Sequence, residues 1–310
     1  MEKLIKYTVR TSIFFLLLSI LLSLYFLSYS PVAFQKCVSL KPVSKQKLLE
    51  YTNNEFSASN IDIKSLINKI PYKVSEMVYE VNPELLFRKT IEEGKGNCSN
   101  LSFGLSYYLL QNKQSCQIIH FLPIDGFLHG DGHTVINTSY SYDNSVFNGI
   151  VDVIEGGFPL NNNIPIGVHD IIEKKDFQHF NILPLNDKKD SVSPYYDEQF
   201  LVNSEIGVIP QDQIKEYFTF MSGAYFPIFS NKKKLEKILF NGLSVVFGCY
   251  PNIYVTESDY STLFENHFTT KILAYVLIFS LRIIMLLVLL LTLLYLILLI
   301  GMFSKNTSKN

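Results

Sequence analysis

The chain has 310 residues, 48% of them hydrophobic, and a formal net charge of −1 at pH 7. That length and apolar content allow a sizeable hydrophobic core, and the lack of a basic excess argues against nucleic acid as a partner. The cysteines are spaced too widely for a zinc ribbon or a dense disulfide framework; they are Cys37, Cys98, Cys116 and Cys249. Isolated disulfides stay open, although separate buried thiols are the simpler interpretation.

The first predicted element is a transmembrane helix over residues 11–30, after a basic tail at 1–10. No charged residue occurs between Thr11 and Gln35, and about 20 apolar residues are enough to cross a bilayer. The basic tail would also suit a signal peptide. The apolar stretch is longer than the roughly 7–15 residues of such a peptide, so we predict a retained anchor.

A stalk with a short helical region is predicted over residues 31–79, because residues 36–60 are rich in Lys, Ser and Asn. The core is predicted over 80–158. It begins with the helix "VNPELLFRKTIEEG" and a second helix from about Cys98 to Gln111. Three short β-branched strands follow, in "SCQIIHFLP", "HTVINTSYS" and "VFNGIVDVI". Helices followed by strands indicate an α+β fold.

The C-terminal part is predicted as an extension and a second anchor. A loop-rich and helical extension covers 159–271, a transmembrane helix with an interfacial start covers 272–304, and a tail covers 305–310. The uncharged run from Ile283 to Ser304 would span roughly 33 Å as a helix. Two crossings leave both tails on one side of the membrane, and the basic N-terminal tail favours an extracytoplasmic soluble domain.

Cys98 draws attention because it lies where the glycine-rich turn "GKGN" meets an apolar, helix-period run. A helix N-terminus lowers the pKa of a cysteine, because the first-turn N–H groups and the helix dipole favour the thiolate. The same amides can stabilise the oxyanion of an acyl-transfer intermediate. Cys98 is therefore a candidate nucleophile, although a buried, inert cysteine is the common alternative.

A nucleophilic cysteine needs a histidine and a group that orients it, and the predicted strands supply both. His133 opens one strand, and Asp152 lies in an apolar stretch that would seldom hold an unpaired carboxylate. A hairpin turn at Tyr142 and Asp143 would place them opposite each other, within reach of an Nδ1–H to carboxylate hydrogen bond. A rival turn at Asn148-Gly149 would pair Asp152 with Ser145 instead.

The order and spacing of these residues resemble the transglutaminase-like superfamily. The resemblance covers roughly residues 80–158 and is carried by Gly96-x-Cys98 with the small Ser102, by Gly132-His133 at a strand start, and by Asp152 in the next strand. It implies a papain-like core, in which the Cys-bearing helix packs on an antiparallel sheet.

The resemblance also implies an activity. Cys98 would be the nucleophile, His133 the general base and acid, and Asp152 the orienting residue, and Asn97 is a candidate oxyanion donor. Amide or peptide bonds would be hydrolysed or transferred to amines through a thioester, without a cofactor. A protein or peptide would be the substrate.

Three alternatives stay open. His120, His129, Asp131 and His133 contain metal-ligand side chains, but their spacing fits none of the familiar zinc motifs, so no metal is predicted. The domain could instead be an inactive, membrane-tethered binding module of a cell-envelope or secretion system. It could also be a small-molecule acyltransferase that uses the same triad, as arylamine acetyltransferases do.

Overall fold

The structure is a computed structural model that describes residues 2–27, 31–52, 62–70, 77–142, 145–162, 164–173, 180–184, 194–196, 198–224, 226 and 231–307. Its helices are α1 (Glu2–Leu27), α2 (Pro31–Ser39), α3 (Lys45–Thr52), α4 (Ile63–Lys69), α5 (Pro83–Phe87), α6 (Cys98–Gln111), α7 (Val168–Ile172), α8 (Glu198–Val202), α9 (Gln211–Ala224), α10 (Lys233–Phe247), α11 (Glu257–Phe264) and α12 (Phe268–Thr307). A π-helical turn at Arg88–Glu92 continues α5, and 3₁₀ turns occupy Phe127–His129 and Pro194–Tyr196.

The strands are β1 (Leu40–Val43), β2 (Cys116–Pro123), β3 (His133–Tyr142), β4 (Ser145–Val151), β5 (Gly157–Asn161), β6 (Ile164–Pro165), β7 (Phe180–Pro184), β8 (Ser204–Ile209) and β9 (Ile253–Thr256). In the described residues they form a six-stranded sheet, ordered β1-β9-β8-β2-β3-β4, and a smaller sheet ordered β6-β5-β7. The β1–β9 pair is parallel and the other pairs are antiparallel. The fold is therefore mixed α+β, as predicted. The larger sheet also takes strands from both sides of residues 80–158.

Helix α6 packs on the centre of the larger sheet, against β2 and β3. Its buried face consists of Leu101, Leu105 and Leu109, which are fully enclosed with Ile136 and Val151 of the sheet. Burial of each leucine stabilises the fold by about 1.5–3 kcal/mol. This packing fixes the start of α6 over the edge of the sheet where β3 begins.

The stalk prediction for residues 31–52 is wrong, because this stretch is packed into the domain. Ala33 and Cys37 of α2 are fully buried, and β1 pairs with β9. The polar composition concealed the apolar residues between the lysines, such as Leu40 and Leu48, which have no exposed surface. The short helical region predicted within residues 31–79 includes α4, and residues 53–61 and 71–76 lie outside the described part of the chain.

Within the described part of the chain, two helices are long and apolar enough to cross a membrane, over Lys3–Tyr25 and Phe268–Ile297. They belong to α1 and α12, which pack against each other. Arg282, within the second span, donates from Nε to the carbonyl oxygen of Val246 at 2.8 Å. A cation there complements the unpaired carbonyls and the negative end of the α10 dipole. Helix α2 is the next described helix after the first span, and it contacts both apolar helices and α10.

The predicted register of the β3–β4 hairpin is wrong by two residues. Tyr142 pairs with Ser145 and Ile136 with Val151, so Val135 rather than His133 is in register with position 152; residues 143–144 lie outside the described residues. The rival turn at Asn148-Gly149 is also wrong, because both residues lie in β4 and pair with Ser139 and Thr138 of β3. Side chains alternate with a period of two, so a two-residue shift keeps the predicted face of the strand while moving the direct partner.

Candidate active site

Local capping positions Cys98 as the first residue of α6. The side chain of Asn97 accepts from the amide of Asn100 at 3.0 Å, and the side chain of Asn100 accepts from the amide of Asn97 at 3.4 Å, which is a reciprocal capping box. Gly96 has φ +118°, and a Cβ there would lie 2.7 Å from Cβ of Asn100. Only glycine therefore lets the chain turn so closely into the helix.

The capping leaves two backbone amides free at the start of α6. Within the described residues, no hydrogen bond is formed by the N–H groups of Cys98 and Ser99, as helix geometry dictates for the first turn. Asn97 lines the cavity next to Cys98, with its side-chain oxygen engaged in the cap. The role of Asn97 as an oxyanion donor stays a prediction. The backbone N–H and the side-chain oxygen of Asn97 are both used in the cap, so only its side-chain NH2 group is left for that role.

His133 begins β3 next to the start of α6. Gly132 has φ +121°, and a Cβ there would lie 2.3 Å from the carbonyl oxygen of Phe121 on β2, so the Gly-His pair allows a turn that a larger residue would block. Ser102, one turn after Cys98, donates to the carbonyl oxygen of Thr134 at 2.9 Å. This buried hydrogen bond ties the cysteine helix to the histidine strand.

The imidazole of His133 and the carboxylate of Asp152 are joined by a buried hydrogen bond. Nε2 of His133 lies 2.6 Å from Oδ2 of Asp152, and both side chains are fully enclosed. The predicted contact through Nδ1 is therefore wrong. Asp152 lies one residue past the end of β4, so it reaches His133 diagonally and meets the far nitrogen of the ring.

All the acceptor positions of Asp152 are filled, which makes it a rigid support for the ring. Oδ1 accepts from the amides of Ile154 and Glu155 at 2.9 and 3.0 Å. Oδ2 accepts from the hydroxyl of Tyr196 at 2.8 Å in addition to His133. Burial raises the pKa of Asp152, but the charge of His133 and these hydrogen bonds outweigh it, and the net shift is downward.

The other ring nitrogen of His133 faces the reactive side of the site. Nδ1 is buried and has no hydrogen bond of normal geometry in the described residues, and the Cys98 thiol is near enough to alter the pKa of the ring. Burial lowers the pKa of His133, but Asp152 and Cys98 together raise it above its usual value. Burial raises the pKa of Cys98, but His133 lowers it by more. These opposite shifts favour a thiolate–imidazolium pair.

Two tyrosines of the site come from the region predicted only as an extension. The ring of Tyr195 stacks on His133 with centroids 4.0 Å apart and 2° between the planes, and Tyr196 donates to Asp152. Both lie in the 3₁₀ turn Pro194–Tyr196. Sequence reasoning missed them because no periodic pattern or motif marks this short turn, and only the tertiary fold brings it beside residues 98–152.

Cys98 and His133 line a cavity of about 190 Å³. Helix α2 supplies Lys36 to its wall and α10 supplies Lys237, although neither element lies in the predicted core. His120 on β2 also lines it, with Nδ1 3.0 Å from the hydroxyl of Thr134. Burial and the nearby Lys36 lower the pKa of His120 to about 3, so this ring is neutral.

The described residues form neither a group of metal ligands nor a disulfide. No three His, Cys, Asp or Glu side chains there are grouped as metal ligands, and all four cysteines are free thiols. Burial raises the pKa of Cys37 and of Cys116 to about 12. Burial and Glu216 also raise the pKa of Cys249, so Cys98 alone among the four has a lowered value.

The comparisons with known proteins add no relative. No protein-family model matches the chain, no curated protein matches it, and no solved structure matches its fold.

Proposed function

We propose that this protein is a membrane-anchored cysteine enzyme with a transglutaminase-like, papain-like core, which cleaves or transfers amide or peptide acyl groups through a thioester. The observation that carries the proposal is the buried 2.6 Å contact between His133 Nε2 and Asp152 Oδ2, made by the histidine whose other nitrogen serves Cys98. A nucleophile, a base and an orienting carboxylate in one chain of contacts are the requirements of thiol acyl transfer.

In the first half of the reaction, the Cys98 thiolate attacks the carbonyl carbon of the substrate. The free amides of Cys98 and Ser99 lie at the positive end of the α6 dipole and are placed to stabilise the oxyanion. When the tetrahedral intermediate collapses, the carbon–nitrogen bond breaks and the leaving amine takes the proton from Nδ1 of His133. A thioester of Cys98 and a neutral imidazole remain.

In the second half, water or an amine attacks the thioester and gives its proton to Nδ1 of His133. The carbon–sulfur bond breaks, which releases an acid or a new amide and restores the thiolate–imidazolium pair. Asp152 keeps the same hydrogen bond throughout and stabilises the charged ring. Its role is to orient His133, and it does not need to exchange a proton.

The membrane helices set where the proposed chemistry takes place. We propose two crossings, through α1 and α12, with the domain on the extracytoplasmic face. Because α2 links the first span to the cavity wall, substrates would be met close to the bilayer surface. Labelling of the partly exposed Cys249 with a membrane-impermeant maleimide tests the orientation. Labelling in intact cells is expected, and labelling only after permeabilisation would place the domain on the cytoplasmic face.

Two assays on the full-length protein in nanodiscs test the activity. One measures incorporation of a fluorescent primary amine into a glutamine-containing protein mixture, and the other measures hydrolysis of a peptide library. We expect turnover in at least one assay, its loss in Cys98→Ala, and no change in Cys249→Ala. Retained turnover in Cys98→Ala would contradict the proposal. Folded but inert wild-type protein would favour the binding-module alternative.

A further inference from the structure

Lys36 is a charged side chain of the cavity that the proposed mechanism does not use. It lies on α2, is half-buried, and lines the cavity together with Cys98 and His133. Its ammonium group makes no hydrogen bond or close ion pair within the described residues, and the charges of Asp131 and Cys98 act on it only from a longer distance. A partly desolvated ammonium without a partner is costly, so its placement in the wall of a reactive cavity points to a ligand that pairs with it.

A second lysine adds positive charge to the same cavity. Lys237 of α10 lines the cavity and uses one N–H to donate to the carbonyl oxygen of Val78 at 3.2 Å, which leaves donors of its ammonium group for a ligand. Burial lowers the pKa of Lys36 and of Lys237 to about 8 each. Both therefore remain largely charged at pH 7.

The opposing charges near the cavity do not cancel this pair. Asp131 is exposed at its edge and forms no ion pair with Lys36 within 4.0 Å. Glu80, which acts on Lys237, is bonded to Lys89 at 2.9 Å. Cys98, His133 and Asp152 together carry one negative charge, because Asp152 balances the imidazolium that it contacts; the two lysines carry two positive charges. The cavity thus keeps a positive excess beside the nucleophile.

We propose that Lys36, assisted by Lys237, binds an anionic group of the acyl donor, a carboxylate or a phosphate, and so holds the adjacent carbonyl carbon against Cys98. This inference rests on the proposed function of Cys98 as a nucleophile and names the substrate class of that site. Lys36 would be a specificity residue. The compact ammonium supplies a point charge, which attracts either anion without demanding a planar, bidentate partner.

The test compares two alkylating probes of the same size class, anionic iodoacetate and neutral iodoacetamide, on the full-length protein. Mass spectrometry follows the modification rate at Cys98. The ratio of the two rates cancels the thiolate fraction of Cys98, because both probes attack the same thiolate. We expect the ratio to fall by about tenfold in Lys36→Met, as loss of a focusing charge implies, by less in Lys237→Met, and little in Lys36→Arg.

The matched control is Lys41→Met, which removes another half-buried lysine close to α2 that does not line the cavity. Its ratio should equal that of the wild type. A reactive Cys98 whose ratio is unchanged in Lys36→Met would overturn this inference and leave the proposed function standing. A Cys98 inert to both probes would overturn both. Protection of Cys98 from iodoacetamide by glutarate rather than inorganic phosphate would identify the anion as a carboxylate, and the reverse as a phosphate.

Discussion

The two sides of the His133 ring differ in how completely their polar groups are paired. On the aspartate side, formed by Asp152, Tyr195 and Tyr196, the carboxylate accepts four hydrogen bonds and one ring stacks on the imidazole. On the lysine side, formed by Cys98, Lys36 and Lys237, Nδ1 of His133 and the Lys36 ammonium make no hydrogen bond of normal geometry in the described residues. Full pairing suits a support that does not change, and unpaired groups around a cavity suit a place where something binds.

Removal of the His133 imidazole should have the largest effect on the reactivity of Cys98, because the aspartate side and the lysine side both contact this ring. In His133→Ala the Cys98 thiol loses the group that lowers its pKa, and we expect its alkylation by iodoacetamide at pH 6 to slow by at least about 100-fold, the scale of a lost general base. The control is His169→Ala, on the distant helix α7. An unchanged rate in His133→Ala would mean that the ring does not serve the thiol.

Neutralisation of Asp152 should come next and should affect stability as well as reactivity. Asp152→Asn leaves the buried imidazole of His133 without its counter-charge, and breaking a buried ion pair by removing one partner costs about 3–5 kcal/mol of unfolding free energy. Thermal unfolding in nanodiscs measures it, with the exposed Asp212→Asn as the matched control. A change no larger than that of the control would show that the aspartate side is not a rigid support.

The stability gap between the wild type and Asp152→Asn should depend on pH in a defined way. The pKa of Asp152 is lowered in the fold, so its contribution is present above its unfolded value of 3.8 and is lost as the pH falls through the folded value. The pKa of His133 is raised, so its contribution is complete below 6.5 and is lost as the pH rises towards the folded value. The gap should therefore be widest between pH 3.8 and 6.5, and a gap that is constant from pH 3 to 9 would contradict the ion pair.

Substitutions of the two tyrosines should have the smallest effects on stability, and they distinguish the contribution of hydrogen bonding from that of ring stacking. Tyr196→Phe removes a donor to a buried carboxylate and should cost about 1.5–3 kcal/mol. Tyr195→Leu removes a stacked ring and should cost about 0.5–1.5 kcal/mol. Unfolding of the two variants side by side is the measurement. The reverse order would assign the support of the imidazole mainly to stacking.

The sequence predicted the elements of the site better than their connections. The glycine-rich turn followed by an apolar, helix-period run placed Cys98 at a helix start, and the β-branched runs placed His133 at the start of a strand, because these signals are local. The hairpin register was off by two residues, since Tyr142, Asn148 and Gly149, which were assigned to the two alternative turns, all pair within the β3–β4 ladder. Local chemistry also gave no reason to choose Nε2 over Nδ1 for Asp152.

Contributions from distant parts of the chain were beyond local reasoning. Tyr195, Tyr196, Lys36 and Lys237 enter the site through packing of segments separated by tens of residues, and none of them carries a motif. The region around Lys36 even looked like a stalk, because composition averages over the alternation that buries Cys37 and Leu40 while leaving Lys36 in the cavity wall.

The pH dependence of Cys98 alkylation in the wild-type protein tests the central claim most directly. Site-resolved mass spectrometry would follow iodoacetamide modification of all four cysteines from pH 4 to 11, with Cys249 as the internal reference for a thiol whose pKa is raised. The thiolate–imidazolium pair predicts an apparent pKa for Cys98 below 9.0, its ordinary value, and reaction that continues below pH 7. An apparent pKa at or above 9.0, parallel to that of Cys249, would contradict it.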